Sequence, residues 1–240
     1  NAQVGQSIPG NTTSPDMTVD RLDVLLNSIV NSQYFGFLAA PYNVTKVSVL
    51  PSIIAANCGT PPATINGAIQ EMSSFAKCVL QNNPQIDPSV AILNVLLPPK
   101  TGAQSRATDF CKPLPDGTHN GGEHDKFGSA VEIAVIPTNS ACSASIGQLF
   151  TVMTHEMVEA ATDPLAASPT GWKPEIGDAC EFTSNPTVSF LFAEASTYFS
   201  DSANACVPGI FLPPPAEPTV NVCGSGSSMV MQAVLPAGPP

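Results

Sequence analysis

The segment from Thr154 to Pro164 carries the residues best suited to chemistry in this chain, with the sequence THEMVEAATDP. His155 and Glu159 are four residues apart in a helix-forming run, so they share a helix face and can converge on one ion, while Glu156 points slightly aside. In zinc hydrolases, two side chains at this spacing hold the metal, and the intervening Glu takes a proton from water. The pattern therefore predicts His155 and Glu159 as metal ligands and Glu156 as the catalytic base.

The usual motif of such enzymes has His at the second ligand position, where this chain has Glu159. A carboxylate ligand lowers the positive charge felt by bound water, so we expect weaker water activation and modest activity. The helix segment offers no Lys or Arg four residues from either Glu. Two carboxylates and one imidazole without a nearby cation repel each other unless they are protonated or share a metal. An ordinary capped or salt-bridged surface helix is the alternative interpretation.

Zinc needs a third protein ligand, and we predict Asp163 for that position. On a straight helix Asp163 lies about 12 Å of rise beyond His155, so it reaches the ion only if the helix stops near Ala161. Pro164 favours such a stop, because the residue before a proline is pushed out of helical geometry. A loop-closing hydrogen-bond acceptor is the competing role for Asp163. The alternative third ligands are Glu175, Asp178 and His124.

Zinc is the ion that we expect at this motif, because imidazole and carboxylate groups are its ordinary ligands. The many carboxylates nearby also allow a calcium ion held by oxygen atoms. His155 argues against calcium at that position, since calcium prefers oxygen ligands.

The composition limits the class of partner. The chain has 240 residues, with 8 Lys and Arg against 19 Asp and Glu, and a formal net charge of −11. A surface this acidic repels phosphate groups and anionic lipids, so we expect neither nucleic acid nor a membrane as partner. The length suits one medium-sized domain, which we expect to be a monomer.

The seven cysteines are dispersed along the chain and form no CxxC pair, which disfavours a thiolate zinc site. Dispersed cysteines, few charges and many prolines are typical of an oxidising, extracellular setting, so we expect a secreted protein with disulfide-stapled loops. Pairing neighbours in sequence predicts the disulfides Cys58–Cys78, Cys111–Cys142 and Cys180–Cys206, with Cys223 left over.

Apolar periodicity predicts the elements that must position the motif. It indicates helices at residues 18–32, 63–81 and 145–162, and strands at 46–55, 90–97 and 130–137. We interpret residues 98–128 as an irregular surface excursion, and 187–199 as weak strands. This alternation predicts an α/β or α+β fold with the motif helix packed on a sheet. The expected parts are a flexible N-terminal arm (1–16), a single domain (17–212) and a Pro-rich C-terminal segment (213–240).

The motif continues in a longer pattern that resembles a known group of proteins. The string HExxEAxTDP begins at His155, and it is followed by Gly171-Trp172 and by EIGDxC from Glu175 to Cys180. This combination is similar to secreted bacterial and fungal proteins that are distantly similar to the plant phosphate-induced (Exordium-like) proteins. The resemblance implies secretion and a zincin-like mixed sheet, but no established reaction. His124 would match a histidine of such relatives, although Gly122-Glu123-His124 stands where they carry Cys-x-Tyr-His.

Three functions follow from these residues. The leading hypothesis is a secreted, zinc-dependent, peptidase-like hydrolase that acts on a protein, a peptide or a cell-wall polymer. The rival is a non-catalytic extracellular protein that binds cell-wall glycan or acts in signalling, in which the same residues hold a structural ion. The third is a glycoside hydrolase that uses paired carboxylates such as Glu156 and Glu175.

Overall fold

A computed structural model describes residues 17–38, 42, 44, 47–58, 68–97, 121–126, 132–137, 145–162, 175–181, 183, 186–201, 203–207 and 228–234. The helices are α1 (Val19–Val30), α2 (Ala68–Asn82), α3 (Ile146–Thr162) and α4 (Asp178–Glu181), with short 3-10 turns at Phe35–Leu38 and Ala56–Cys58. The strands are β1 (Val47–Ile54), β2 (Ala91–Leu97), β3 (Glu123–Lys126), β4 (Glu132–Pro137), β5 (Thr187–Phe190), β6 (Ala193–Ser196), β7 (Tyr198–Ser200), β8 (Ala205–Val207) and β9 (Ser228–Val234).

The main sheet has five strands in the order β1-β9-β2-β4-β3. The first four strands are parallel, and β3 pairs antiparallel with β4 at one edge. Two small antiparallel pairs, β5–β6 and β7–β8, lie outside this sheet. The mixed α/β class that the sequence predicts is therefore confirmed.

Strand β9 lies in the segment that the sequence sets apart as Pro-rich. It pairs in parallel with β1 on one side and with β2 on the other, so that Val230 lies opposite both Val49 and Ile92. Part of the 213–240 segment thus belongs to the interior of the main sheet. Strand β1 is left at the edge, where Pro51 lies within an irregularity of the register between Leu50 and Ile53. Proline has no N–H to donate to a strand ladder, so in sheets it is confined to edge strands and irregularities such as this one.

Both faces of strand β2 are buried, which explains its nearly continuous apolar sequence. Leu96 packs into the main core cluster, whereas Leu93 and Val95 point to the opposite face, because alternate residues of a strand face opposite sides. The main cluster joins helices α1 and α3 to the face of the sheet that carries Leu96. Its members from these helices include Leu22, Leu25, Leu26, Ile29, Leu149, Phe150, Met153, Met157 and Val158.

The predicted helices and central strands are confirmed, with helix α3 beginning and ending within one residue of the predicted bounds. The prediction of an irregular excursion over residues 98–128 is wrong at Glu123–Lys126, which form β3. The sequence Glu-His-Asp-Lys has no apolar alternation by which a strand could be predicted. This edge strand is defined instead by its backbone pairing with β4. Residues 1–16 lie outside the described residues.

Two of the three predicted disulfides are confirmed. Cys58–Cys78 joins a 3-10 turn to α2, and Cys180–Cys206 joins α4 to β8. The remaining cysteines at 111, 142 and 223 lie outside the described residues. Within the described part of the chain, no helix is both long enough and apolar enough to cross a bilayer.

Candidate metal centre

The position of helix α3 is fixed by the residue that precedes the motif histidine. The hydroxyl of Thr154 donates to the carbonyl of Phe150 (2.9 Å) and accepts from the backbone N–H of Ser196 in β6 (2.9 Å). The carbonyl of Ser196 in turn accepts from the hydroxyl of Tyr34 (2.7 Å). These buried bonds, together with the apolar side of the helix, set its rotation. As a result, His155, Glu156 and Glu159 face strand β3 and the segment 175–178 that leads into α4.

Three candidate ligands meet at the exposed side of this site. Nε2 of His155 lies 3.2 Å from Oε1 of Glu159 and 3.4 Å from Oδ1 of Asp178. Ligand atoms bound to zinc at about 2.0–2.1 Å with tetrahedral angles are separated by roughly 3.3 Å, so these spacings suit a tetrahedral ion. The side chain of His155 is 18% exposed and that of Asp178 is 50% exposed. We call these three residues the open triad.

A second group lies behind the first and is closed to solvent. Nδ1 of His124 lies 3.2 Å from Oε2 of Glu156 and 3.5 Å from Oε2 of Glu159. His124, Glu156 and Glu159 are all at most 5% exposed. In both groups the ligand atoms lie within 4.8 Å of one another, so either group could hold a metal ion. We call these three residues the closed triad.

Glu159 belongs to both triads and divides its two oxygen atoms between them. Oε1 faces His155 and accepts the backbone N–H of Asp178 (3.0 Å), whereas Oε2 faces His124. Each oxygen is thus held in a separate direction. The carboxylate plane is fixed by contacts from β3, α3 and the start of α4.

Two glycines allow the surrounding backbone to approach the motif carboxylates. A Cβ atom at Gly122 would lie 2.5 Å from Oε1 of Glu156, and one at Gly177 would lie 2.6 Å from Oε1 of Glu159. No other residue fits either place without displacing a carboxylate. These two contacts are not predicted from the sequence, although the Gly-Gly pair before His124 and the glycine of EIGD are visible signals.

The closed triad contains a strong charge pair. Burial by itself lowers the pKa of His124, but hydrogen bonds to Glu156 and Glu159 and their negative charges raise it to about 11. Burial raises the pKa of Glu159, yet the charge of His155 and hydrogen bonds from both histidines lower it to about 2. At neutral pH His124 is therefore an imidazolium, whose Nδ1–H faces Glu156 at 3.2 Å and ionised Glu159 at 3.5 Å. This supplies the cation that the helix segment itself lacks.

The other acids and the second histidine also have shifted pKa values. Burial raises the pKa of Glu156, although the hydrogen bond from His124 opposes this. Burial lowers the pKa of His155, but the charge of Glu159 and hydrogen bonds to Asp178 and Glu159 raise it well above 6.5. Burial, and next the charge of Glu159, raise the pKa of Glu175 to about 7. Perturbed acids and bases clustered in this way are typical of functional sites.

The predicted site residues compare with this geometry as follows. The spacing that brings His155 and Glu159 together is present, and Glu156 lies to the other side, against His124. Asp163, the predicted third ligand, lies outside the described residues. Asp178 and His124, which were two of its alternatives, both reach the motif carboxylates.

The chain was also compared with known proteins. No family model, curated protein or solved structure matches it. The functional assignment therefore depends on the geometry of the two triads.

Proposed function

We propose that this chain is a secreted, zinc-dependent hydrolase that cleaves peptide bonds, with a zincin-like arrangement of its motif helix and sheet. His155, Glu159 and Asp178 would hold the ion, and Glu156 would be the base. The observation that supports this most directly is the pair of distances from His155, 3.2 Å to Glu159 and 3.4 Å to Asp178, which match the edges of a zinc tetrahedron. The disulfides are compatible with an extracellular setting.

The open triad is a better catalytic site than the closed triad because of its exposure. Catalytic zinc keeps a position free for water or substrate, whereas structural zinc is enclosed by protein ligands. Asp178 is half exposed, so substrate can approach from its side, whereas the closed triad is shut off from solvent. A zinc ion in the open triad would act as a Lewis acid that polarises the attacked carbonyl and the attacking water.

Glu156 is suited to proton transfer. It follows His155 in the sequence but points towards His124 of β3, so it is not one of the ligands in the open triad. Burial raises the pKa of its carboxyl group, which makes the carboxylate a stronger base than an exposed Glu. In the proposed reaction Glu156 accepts a proton from the attacking water as the water oxygen bonds to the carbonyl carbon, and it delivers that proton to the amine nitrogen as the C–N bond breaks.

The test combines zinc analysis with peptide hydrolysis. Wild-type protein should hold one zinc ion and cleave members of a fluorogenic peptide library. Glu156→Gln should retain the zinc but lose activity by roughly 10²- to 10⁴-fold, the usual contribution of a general base. His155→Ala should lose the zinc. Glu194→Gln, the same change at an exposed carboxylate of β6, is the matched control and should leave both unchanged. Zinc-free wild-type protein, or full activity in Glu156→Gln, would contradict the proposal.

One observation favours the rival, a non-catalytic extracellular protein with a structural ion. The closed triad is nearly inaccessible to solvent, as structural metal sites are. In that case zinc binding would depend on His124 as well as Glu159, and removal of the metal would lower the stability without any hydrolysis to lose. Wild-type protein that binds zinc and cleaves no peptide would support this rival.

A further inference from the structure

We propose that His124 is a positioning residue that fixes both the base Glu156 and the ligand Glu159 through a single ring nitrogen. This inference rests on the proposed function, because it assigns His124 a role towards residues that the proposal names. It also separates His124 from the metal ligands, among which the sequence had left it as an alternative.

The contacts of Nδ1 carry the argument. This atom lies 3.2 Å from Oε2 of Glu156 and 3.5 Å from Oε2 of Glu159, so one N–H is shared between the two carboxylates. For Glu159, the bond on Oε2 leaves Oε1 directed at His155 and Asp178. For Glu156, the bond on Oε2 fixes the direction of the carboxylate. Groups that hold a metal-binding carboxylate in this way orient the ligand and tune its basicity.

The backbone of Gly122, close to His124 in the chain, also restricts Glu156. Gly122 lies two residues before His124, and its Cα is so close to Glu156 that a Cβ would be 2.5 Å from Oε1 and 2.7 Å from Cγ. Glu156 is therefore enclosed by Gly122 at one oxygen and by His124 at the other. A carboxylate held at both oxygens has one orientation, as a base must have to meet its proton within hydrogen-bond distance.

The sheet makes His124 a rigid support. His124 lies in β3 opposite Ala134 of β4, and β4 pairs in turn with the central strand β2. Residues on strands hold their geometry more precisely than residues on loops. The two walls of the site thus come from different elements: the proposed ligands lie on α3 and α4, and the base is oriented from the sheet.

The closest test replaces His124 by two amides of different reach. Asn places its NH₂ near the position of Nδ1, whereas Gln places its NH₂ near that of Nε2 and misses both carboxylates. We expect His124→Asn to keep most of kcat. We expect His124→Gln and His124→Leu to lose roughly 10- to 100-fold in kcat, with KM changed by less than about threefold. All three variants should still bind one zinc ion, with an affinity weaker by no more than roughly 100-fold.

Each outcome decides the role of His124. Loss of zinc from every His124 variant, or a second zinc ion in wild-type protein that disappears with them, would make His124 a ligand and overturn the inference. Equal kcat in the Asn and Gln variants would overturn it as well. If His124→Leu fails to fold, the comparison of Asn with Gln still decides. Wild-type protein that neither binds zinc nor cleaves peptides defeats the proposed function and this inference together, whereas active wild-type protein with unaffected variants defeats this inference alone.

Discussion

Gly177 lies directly against Glu159, whose carboxylate occupies the space where a side chain of residue 177 would begin. A Cβ atom at this position would be 2.6 Å from Oε1 of Glu159 and 2.9 Å from Nδ1 of His155. Both residues are proposed zinc ligands. The segment that carries Asp178 can reach His155 and Glu159 only because glycine lets its backbone pass this close.

Gly177→Ala should therefore weaken zinc binding. The added methyl group must push away either Glu159 or the ring of His155, and overpacking of this kind costs about 1–3 kcal/mol. That cost corresponds to a zinc Kd weaker by roughly 5- to 150-fold, which a competition titration with a chromophoric chelator measures.

Gly147→Ala on helix α3 is the matched control. A Cβ there would meet only ordinary contacts, the nearest being Oγ of Ser145 at 3.6 Å. Zinc affinity should stay the same, and the free energy of unfolding should rise by up to about 1 kcal/mol, because Ala favours a helix more than Gly does. Unchanged zinc affinity in Gly177→Ala would show that the ion lies elsewhere.

Zinc affinity should rise with pH well beyond the range of an ordinary histidine. His155 must lose its proton to coordinate zinc, and its pKa is raised well above 6.5, because the charge of Glu159 and hydrogen bonds to Asp178 and Glu159 outweigh the effect of burial. Protons and zinc compete for Nε2 at every pH below this raised pKa. The apparent affinity should therefore increase by about tenfold per pH unit from about pH 6 to pH 8.

Titrations at several pH values in that range test this dependence. An affinity that levels off near pH 6.5, the ordinary pKa of histidine, would contradict the coupling between His155 and the two carboxylates. His155→Ala supplies the background from any other zinc ligand of the chain.

The sequence predicts the local part of the site because that part depends on helix periodicity alone. The spacing of His155 and Glu159 places both on one face of α3, and the two residues contact each other as a four-residue spacing requires. Continuous apolar runs likewise predict β2 and β4, since parallel strands are buried on both faces. These features need no knowledge of distant contacts.

The rest of the site depends on long-range packing that no local pattern records. His124 reaches Glu156 from a strand whose residues are Glu-His-Asp-Lys, and nothing in that sequence distinguishes an edge strand from a loop. The sequence favours Asp163 as the third ligand and offers Asp178 only as an alternative, because the position of α4, which brings Asp178 to His155, is not visible in it. The insertion of β9 between β1 and β2 is similarly invisible, because its partners lie far away in the chain.

The disulfide Cys180–Cys206 should matter for zinc binding as well as for stability. It joins α4, which begins with Asp178, to β8, and the carbonyl of Ile176 accepts the backbone N–H of Phe199 in β7 (2.7 Å). Replacing both cysteines by Ala should lower the free energy of unfolding by roughly 3 kcal/mol, the usual effect of removing a disulfide that closes a loop of this size. It should also weaken zinc binding by roughly tenfold, since ordering of Asp178 then has to accompany binding.

Replacement of Cys58 and Cys78 by Ala is the control for this effect. The two loops have similar sequence separations, 20 and 26 residues, so the loss of stability should be similar. Cys58–Cys78 joins α2 to a 3-10 turn, and neither element carries a triad residue, so zinc affinity should not change. Equal zinc affinities in the two double variants would show that the disulfide does not position Asp178.

Asn94 should be replaceable by Leu with a gain in stability. Its side chain is 0% exposed in the middle of β2, and neither its oxygen nor its nitrogen has a hydrogen-bond partner among the described residues. A buried amide without partners costs about 1–3 kcal/mol, whereas an apolar side chain of similar size has no such cost. Asn94→Leu should therefore raise the free energy of unfolding by about that amount in denaturant titrations.

Asn94→Asp is the opposing variant, because it would bury a charge and should lower the stability. Zinc affinity reports whether Asn94 is coupled to the site: Asn94 lies opposite Ala134, which lies opposite His124, so two strand spacings separate it from the closed triad. At that distance Asn94→Leu should leave zinc binding unchanged. A loss of stability in Asn94→Leu would instead mean that the amide has a partner elsewhere in the chain, and a simultaneous loss of zinc would extend the site along this row of the sheet.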